Sequence, residues 1–82
     1  MIEVTRVTVL ADFWLLLTFT GGEQRYFDMR PFLHYPVFQR LQNSGFFSLA
    51  KVDYGTVTWP GEIDIAPETL YVQSLPTLIL RK

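Results

Sequence analysis

The chain has 82 residues, a net charge of −1, 49% hydrophobic and 16% aromatic content, and no cysteine. That length holds one domain, the apolar content excludes intrinsic disorder, and the lack of cysteine excludes disulfides, thiol chemistry and thiolate metal sites. With no basic surplus to neutralise phosphates, direct nucleic-acid binding is not expected.

Met1–Arg6 lacks the basic and then apolar pattern of a signal peptide. The longest apolar run, Phe13–Leu17, falls far short of the ~20 residues of a spanning helix. A cytoplasmic protein without a membrane segment is expected. Val4–Leu10 alternates, with Val4, Arg6, Thr8 and Leu10 on one face and Thr5, Val7 and Val9 on the other, which predicts a strand. Phe13–Phe19 is apolar on both faces and predicts a central strand. Thr20-Gly21-Gly22-Glu23 predicts a tight two-residue hairpin loop with both glycines at positive φ. Gln24–Asp28 is the returning strand.

Pro31 opens a helical turn, where its missing N–H has no intrahelical partner to lose. Pro36 interrupts, so two short pieces are expected. The second piece, Val37–Asn43, offers Val37, Phe38 and Leu41 as a core-facing stripe. Asn43-Ser44-Gly45 ends it, and Phe46–Leu49 reads as an extended run or a short turn. Lys51–Tyr54 and Thr56–Trp59 flank Gly55 and predict a second hairpin. Pro60-Gly61-Glu62 turns the chain again, Ile63–Ile65 reads as a short strand or bridge, and Pro67–Val72 as a last helical turn. The fold class is α+β: a small antiparallel sheet of two hairpin units with short helices. The domain is expected over 2–73, with 74–82 an apolar tail.

The two halves echo each other. A glycine turn, an extended segment, Asp-x-x-Pro and a helical turn occur at Asp28…Pro31 and again at Asp64…Pro67. An aspartate three residues before such a proline is placed to accept unpaired backbone N–H groups and to complement the helix dipole. Asp28 and Asp64 are therefore read as structural caps.

The stretch Thr56–Tyr71 ends a strand in Trp59-Pro60, adds Gly61, and continues Asp64-Ile65-Ala66-Pro67-Glu68-Thr69-Leu70-Tyr71. It resembles the signature of the DUF2442 family, small bacterial proteins of unknown function. The first hairpin, Phe27-Asp28, the proline-started helix, Phe38, Leu41 and Phe46-Phe47 also fit, so the resemblance covers about residues 2–72. It implies a compact α+β fold and no known catalysis. Some relatives carry an added helix-turn-helix, and many resemble the smaller member of a two-gene pair, which implies an antitoxin-like partner of another small protein. No helix-turn-helix follows Tyr71 here.

No catalytic, cofactor-binding or metal residue is assigned. His34 is the only histidine, too few for a zinc site. It reads as a surface residue rather than a general base acting with Asp28. Asp28 and Asp64 would make a carboxylate pair only if the two units faced each other, and capping explains both. Trp59 and Tyr71 read as core aromatics rather than a ligand surface. Phe46 and Phe47 are adjacent, so in an extended segment one ring would point outward as a contact residue. Leu78, Ile79 and Leu80 are too apolar for a solvated tail. They are expected to form a contact strand, either on the edge of their own sheet or against another chain. The function expected is a non-catalytic protein–protein interaction module, an antitoxin-like or regulatory partner of another small protein, or a homo-oligomer. The alternative is a small enzyme or ligand-binding domain using the Asp28, His34 and Asp64 region.

Overall fold

Period-two sequence becomes two antiparallel sheets. The computed structural model describes residues 1–77. In the first sheet, β1 (Val4–Leu10) pairs with β2 (Trp14–Phe19) and β2 with β3 (Gln24–Asp28). The inner face carries Leu15, Leu17, Phe19 and Phe27, all buried. In β1 the strict alternation fails. A bulge between Val4 and Arg6 spends an extra residue, Thr5, against β2. Val4 therefore joins Val7 and Val9 on the core side, and not Arg6 and Thr8.

Three of the hairpin loops follow one rule. Ala11–Phe13, Thr20–Gly22 and Pro60–Glu62 are each three residues long, and in each the second and third residues have positive φ. The loop after β2 is thus one residue longer than the sequence suggested; Phe19 N–H donates to Glu23 O and Gly22 N–H to Phe19 O, each at 2.8 Å. Both glycines take positive φ there, as expected. Phe13 does so as a bulky residue, at 66°. It is held by edge-on packing against Phe47, with ring centroids 5.2 Å apart, and by Met29 N–H donating to its carbonyl at 3.0 Å.

Between the sheets run 3-10 turns at Arg30–Phe32 and Pro36–Gln42, then α1 (Ser44–Phe47). The tighter 3-10 winding aligns residues three apart. Phe38 and Leu41 are buried, whereas Val37, expected beside them, is 58% exposed. Asn43 starts α1 as well as ending the preceding turn: its Oδ1 accepts the Phe46 N–H at 2.9 Å. Phe46 and Phe47 therefore lie on a helical turn and not an extended run.

The second sheet is β4 (Lys51–Asp53), β5 (Thr56–Trp59) and β6 (Ile63–Ile65), in that order. Tyr54 and Gly55 join β4 to β5 with φ of 54° and 74°, the positive pair a two-residue hairpin requires. The Val4 N–H donates to Gly55 O at 2.9 Å, which ties the two sheets at this turn. After α2 (Pro67–Val72), β7 (Leu75–Pro76) pairs with β3 opposite Tyr26 and Arg25. Its edge position tolerates the proline, so Leu75–Pro76 extends the first sheet, in the order β1-β2-β3-β7. Val57, Trp59, Ile63, Ile65 and Leu70 complete one core cluster shared by both sheets. A fully buried side chain of this size contributes about 1.5–3 kcal/mol. Among the described residues, no helix is long and apolar enough to cross a membrane.

Candidate functional site

Because Val57, Trp59, Ile63 and Ile65 point into the core, the alternate residues of the second sheet face outward. The register sets Lys51, Thr58 and Asp64 side by side across three strands, with Asp53 opposite Thr56. Lys51, Asp53, Thr58 and Asp64 line an open cleft of about 590 Å³ whose rim includes Leu49, Tyr54, Gly61 and Glu62, while Thr56 is buried. Tyr54 is 95% exposed and Leu49 52% exposed. Asp53, Glu62 and Asp64 bring three carboxylates to one ammonium, that of Lys51. Among the described residues the two ion pairs, Arg25–Glu23 and Arg30–Asp28, involve none of them.

The cleft is rigidly backed. Trp59 Nε1–H donates to the Phe47 carbonyl at 2.9 Å, and the ring packs on Phe47. The Thr56 hydroxyl donates to the Ile65 carbonyl and pins β5 to β6. Gly61 has φ +89, and a Cβ there would lie 2.6 Å from the Arg40 guanidinium. That guanidinium in turn covers the Phe46 ring at 4.4 Å. The tryptophan and glycine of the Trp-Pro-Gly string thus hold the turn that walls the cleft.

The two aspartates read as caps part company. Asp28 accepts the Arg30 backbone N–H at 2.9 Å and two guanidinium N–H groups of the same residue, also at 2.9 Å. These bonds hold its carboxyl below the usual range. Asp64 is not a cap. It lies mid-strand in β6, exposed, while α2 starts after Ala66 with no side-chain cap. The strand continues through Ile65, and Ala66 is still extended, so the first unpaired N–H groups of α2 lie beyond Asp64.

His34 is exposed and rests on Tyr35, centroids 4.3 Å apart. Asp28 is in the first sheet and Asp64 in the second, and the cleft around Asp64 contains neither Asp28 nor His34. The three groups of the enzyme alternative are not brought together. Phe47 is buried against Phe13 and Trp59, so it is no contact residue, and Phe46 is half covered by Arg40. Leu78, Ile79 and Leu80 lie outside the described residues.

A second cluster had no signal in the sequence. Arg25 of β3 donates to Glu23 at 2.9 Å, to the Ser74 hydroxyl, and to the Ser74 carbonyl at 2.9 Å, with its guanidinium 4.5 Å over the Tyr71 ring. The Tyr71 hydroxyl donates to Glu23 at 2.8 Å. That bond and then Arg25 pull the Glu23 carboxyl down, and the same bond raises the Tyr71 hydroxyl. Partners 48 or 49 residues apart become neighbours only when β7 folds back. Met1, Ile2, Phe19 and Tyr71 line a smaller cleft of about 330 Å³ beside it. Arg25, Arg30 and Arg40 each lie over a different aromatic ring, Tyr71, Trp14 and Phe46, so they form no common basic patch.

A family model matches residues 4–76, and its description reads "Protein of unknown function (DUF2442)". No curated protein and no solved structure matches the chain.

Proposed function

The chain belongs to the DUF2442 family, and from that premise we propose that it is a protein-binding module whose docking face is the cleft on β4, β5 and β6. The observation that carries this reading is the pairing of an open cleft with a nearly fully exposed Tyr54 at its rim. Tyrosine supplies large contact area at small entropic cost and is enriched among residues that dominate interfaces. Leu49 beside it adds exposed apolar surface, and the polar floor of Lys51, Thr58 and Asp64 supplies orientation. The partner is a second protein, and the module acts on it as a non-catalytic, antitoxin-like regulator in the cytoplasm. The net charge of −1, together with the placement of Arg25, Arg30 and Arg40 over three different aromatic rings, supports a protein partner over a nucleic acid.

The test is affinity capture from cell extract with the tagged chain and with Tyr54→Ala, both checked for folding by circular dichroism. The expected result is a stoichiometric protein partner, lost with Tyr54→Ala. A folded variant that retains the same partner places docking elsewhere.

A further inference from the structure

The cleft ends at an open strand edge. Among the described residues, β6 pairs with β5 on one side only. Among the described residues, no backbone group of Ile63–Ile65 bonds to backbone outside that pairing. An unpaired edge is a template for an added strand. A segment laid along β6 must place the side chain opposite Asp64 on the face of Asp64, because cross-strand neighbours share a face. Its two neighbours then fall on the face of Ile63 and Ile65, which are buried in the core. Among the described residues that line the cleft, the one cation is Lys51, on β4, the far strand of this sheet, whereas Glu62 and Asp64 are at the β6 end; Arg40 reaches the Gly61 turn but lies over the Phe46 ring. The added strand therefore meets carboxylates on one face, and on the other it runs along the margin of the core that already covers Ile63 and Ile65.

Resting on the module reading above, we propose that the β6 edge receives an extended segment of the partner protein with an apolar–cation–apolar pattern. Its lysine or arginine lies over Asp64 and Glu62, and its flanking β-branched residues extend the Ile63 and Ile65 face. Main-chain bonds to β6 supply adhesion, and the carboxylates supply selectivity for positive charge.

The experiment titrates the intact, isotope-labelled chain with a blocked Thr-Val-Lys-Val-Thr peptide and with its Thr-Val-Glu-Val-Thr counterpart, following amide shifts by NMR. The lysine peptide is expected to move the amides of Ile63, Asp64, Ile65 and Thr58, to bind more weakly as salt rises, and to lose about threefold or more in affinity with Asp64→Asn. Glu62→Gln, outside the strand, should shift affinity in the same direction and guards against a folding defect at position 64. Equal binding of the glutamate peptide at these amides overturns the charge selectivity while leaving the docking face in place. If neither peptide moves β6, the edge inference falls, and the Tyr54→Ala capture experiment decides separately whether the module reading stands.

Discussion

The two proline units show one sequence pattern reaching two ends. Each starts from a buried aromatic residue, Phe19 or Trp59. Each then turns through a three-residue loop, with φ of 94° and 97° at Gly21 and Gly22, and 89° and 63° at Gly61 and Glu62. Each continues with a buried, an outward and a buried residue, Phe27-Asp28-Met29 and Ile63-Asp64-Ile65. They diverge right after the aspartate. Met29 has helical φ and ψ of −80° and −12°, which swings the Arg30 N–H back onto Asp28. Ile65 stays in the strand and Ala66 stays extended at φ −61°, ψ 139°. Ala66 also brings no guanidinium. An Asp-x-x-Pro string therefore specifies a cap only where the next residue has already turned. Where it has not, the carboxylate is left facing a cleft.

The largest effect expected within this comparison is at the aromatic that opens the second unit. Trp59→Ala should cost about 3–5 kcal/mol, as for large core truncations. Trp59→Phe should cost less, about 0.5–1.5 kcal/mol, because the Phe47 carbonyl loses the indole N–H but keeps the Ala50 N–H. Equal stability of Trp59→Phe and wild type in denaturant melts would show that this bond contributes nothing.

Next come the loop glycines. Gly21→Ala meets only its positive φ, with no atom within 4 Å of the new Cβ, whereas Gly61→Ala also displaces Arg40 from Phe46. Left-handed strain costs about 1 kcal/mol at either site, and loss of the cation–π contact adds about 0.5–1 kcal/mol at Gly61. A double-mutant cycle with Arg40→Ala should remove the difference. If the gap persists without Arg40, the added cost has another origin.

Asp28→Ala should cost about 1 kcal/mol, in the range for lost caps, while Asp64→Ala should stay within about 0.5 kcal/mol. The acid limb tests the Asp28 cap separately. The folded carboxyl of Asp28 titrates below its unfolded value, so its contribution is complete above about pH 4 and is lost as pH falls through the folded pKa. Thermal melts of Asp28→Asn should show a flatter acid limb than those of the wild type. The last effect is a gain. Glu62→Gly, which copies Gly22 of the first unit, should stabilise by about 0.5–1 kcal/mol by removing left-handed strain. A loss would mean that Glu62 makes a stabilising interaction in its present conformation.

Both hairpin units were legible in the sequence because alternation and glycine turns are local signals, written within a few residues of where they act. Val37 was misplaced because one extra residue of offset separates a 3-10 from an α-helical stripe, and no residue type marks that choice. The bulge at Thr5 left no mark either, since Val4-Thr5-Arg6-Val7 alternates acceptably in either register. Tyr54, Asp53, Asp64 and Glu62 carry the cleft, yet each alone reads as an ordinary turn or surface residue. Only the cross-strand register of β4, β5 and β6 puts them on one face. Asp64 was misread because capping depends on the backbone of Ile65 and Ala66, which the sequence pattern does not encode.

The return of β7 onto β3 has a kinetic consequence. Every other strand pairing here is a hairpin with a loop of two or three residues, and hairpins of this kind close in roughly 1–10 μs. The β3–β7 pairing joins Arg25 to Pro76 and Tyr26 to Leu75, so its loop must be closed against a much larger chain entropy. Among the described residues it is also the shortest pairing, and Pro76 withholds a donor. This clasp is therefore expected to form last and open first. In native-state hydrogen exchange the Leu75 amide should exchange through a local opening, while Leu15 and Leu17 at the centre of the sheet exchange only with global unfolding.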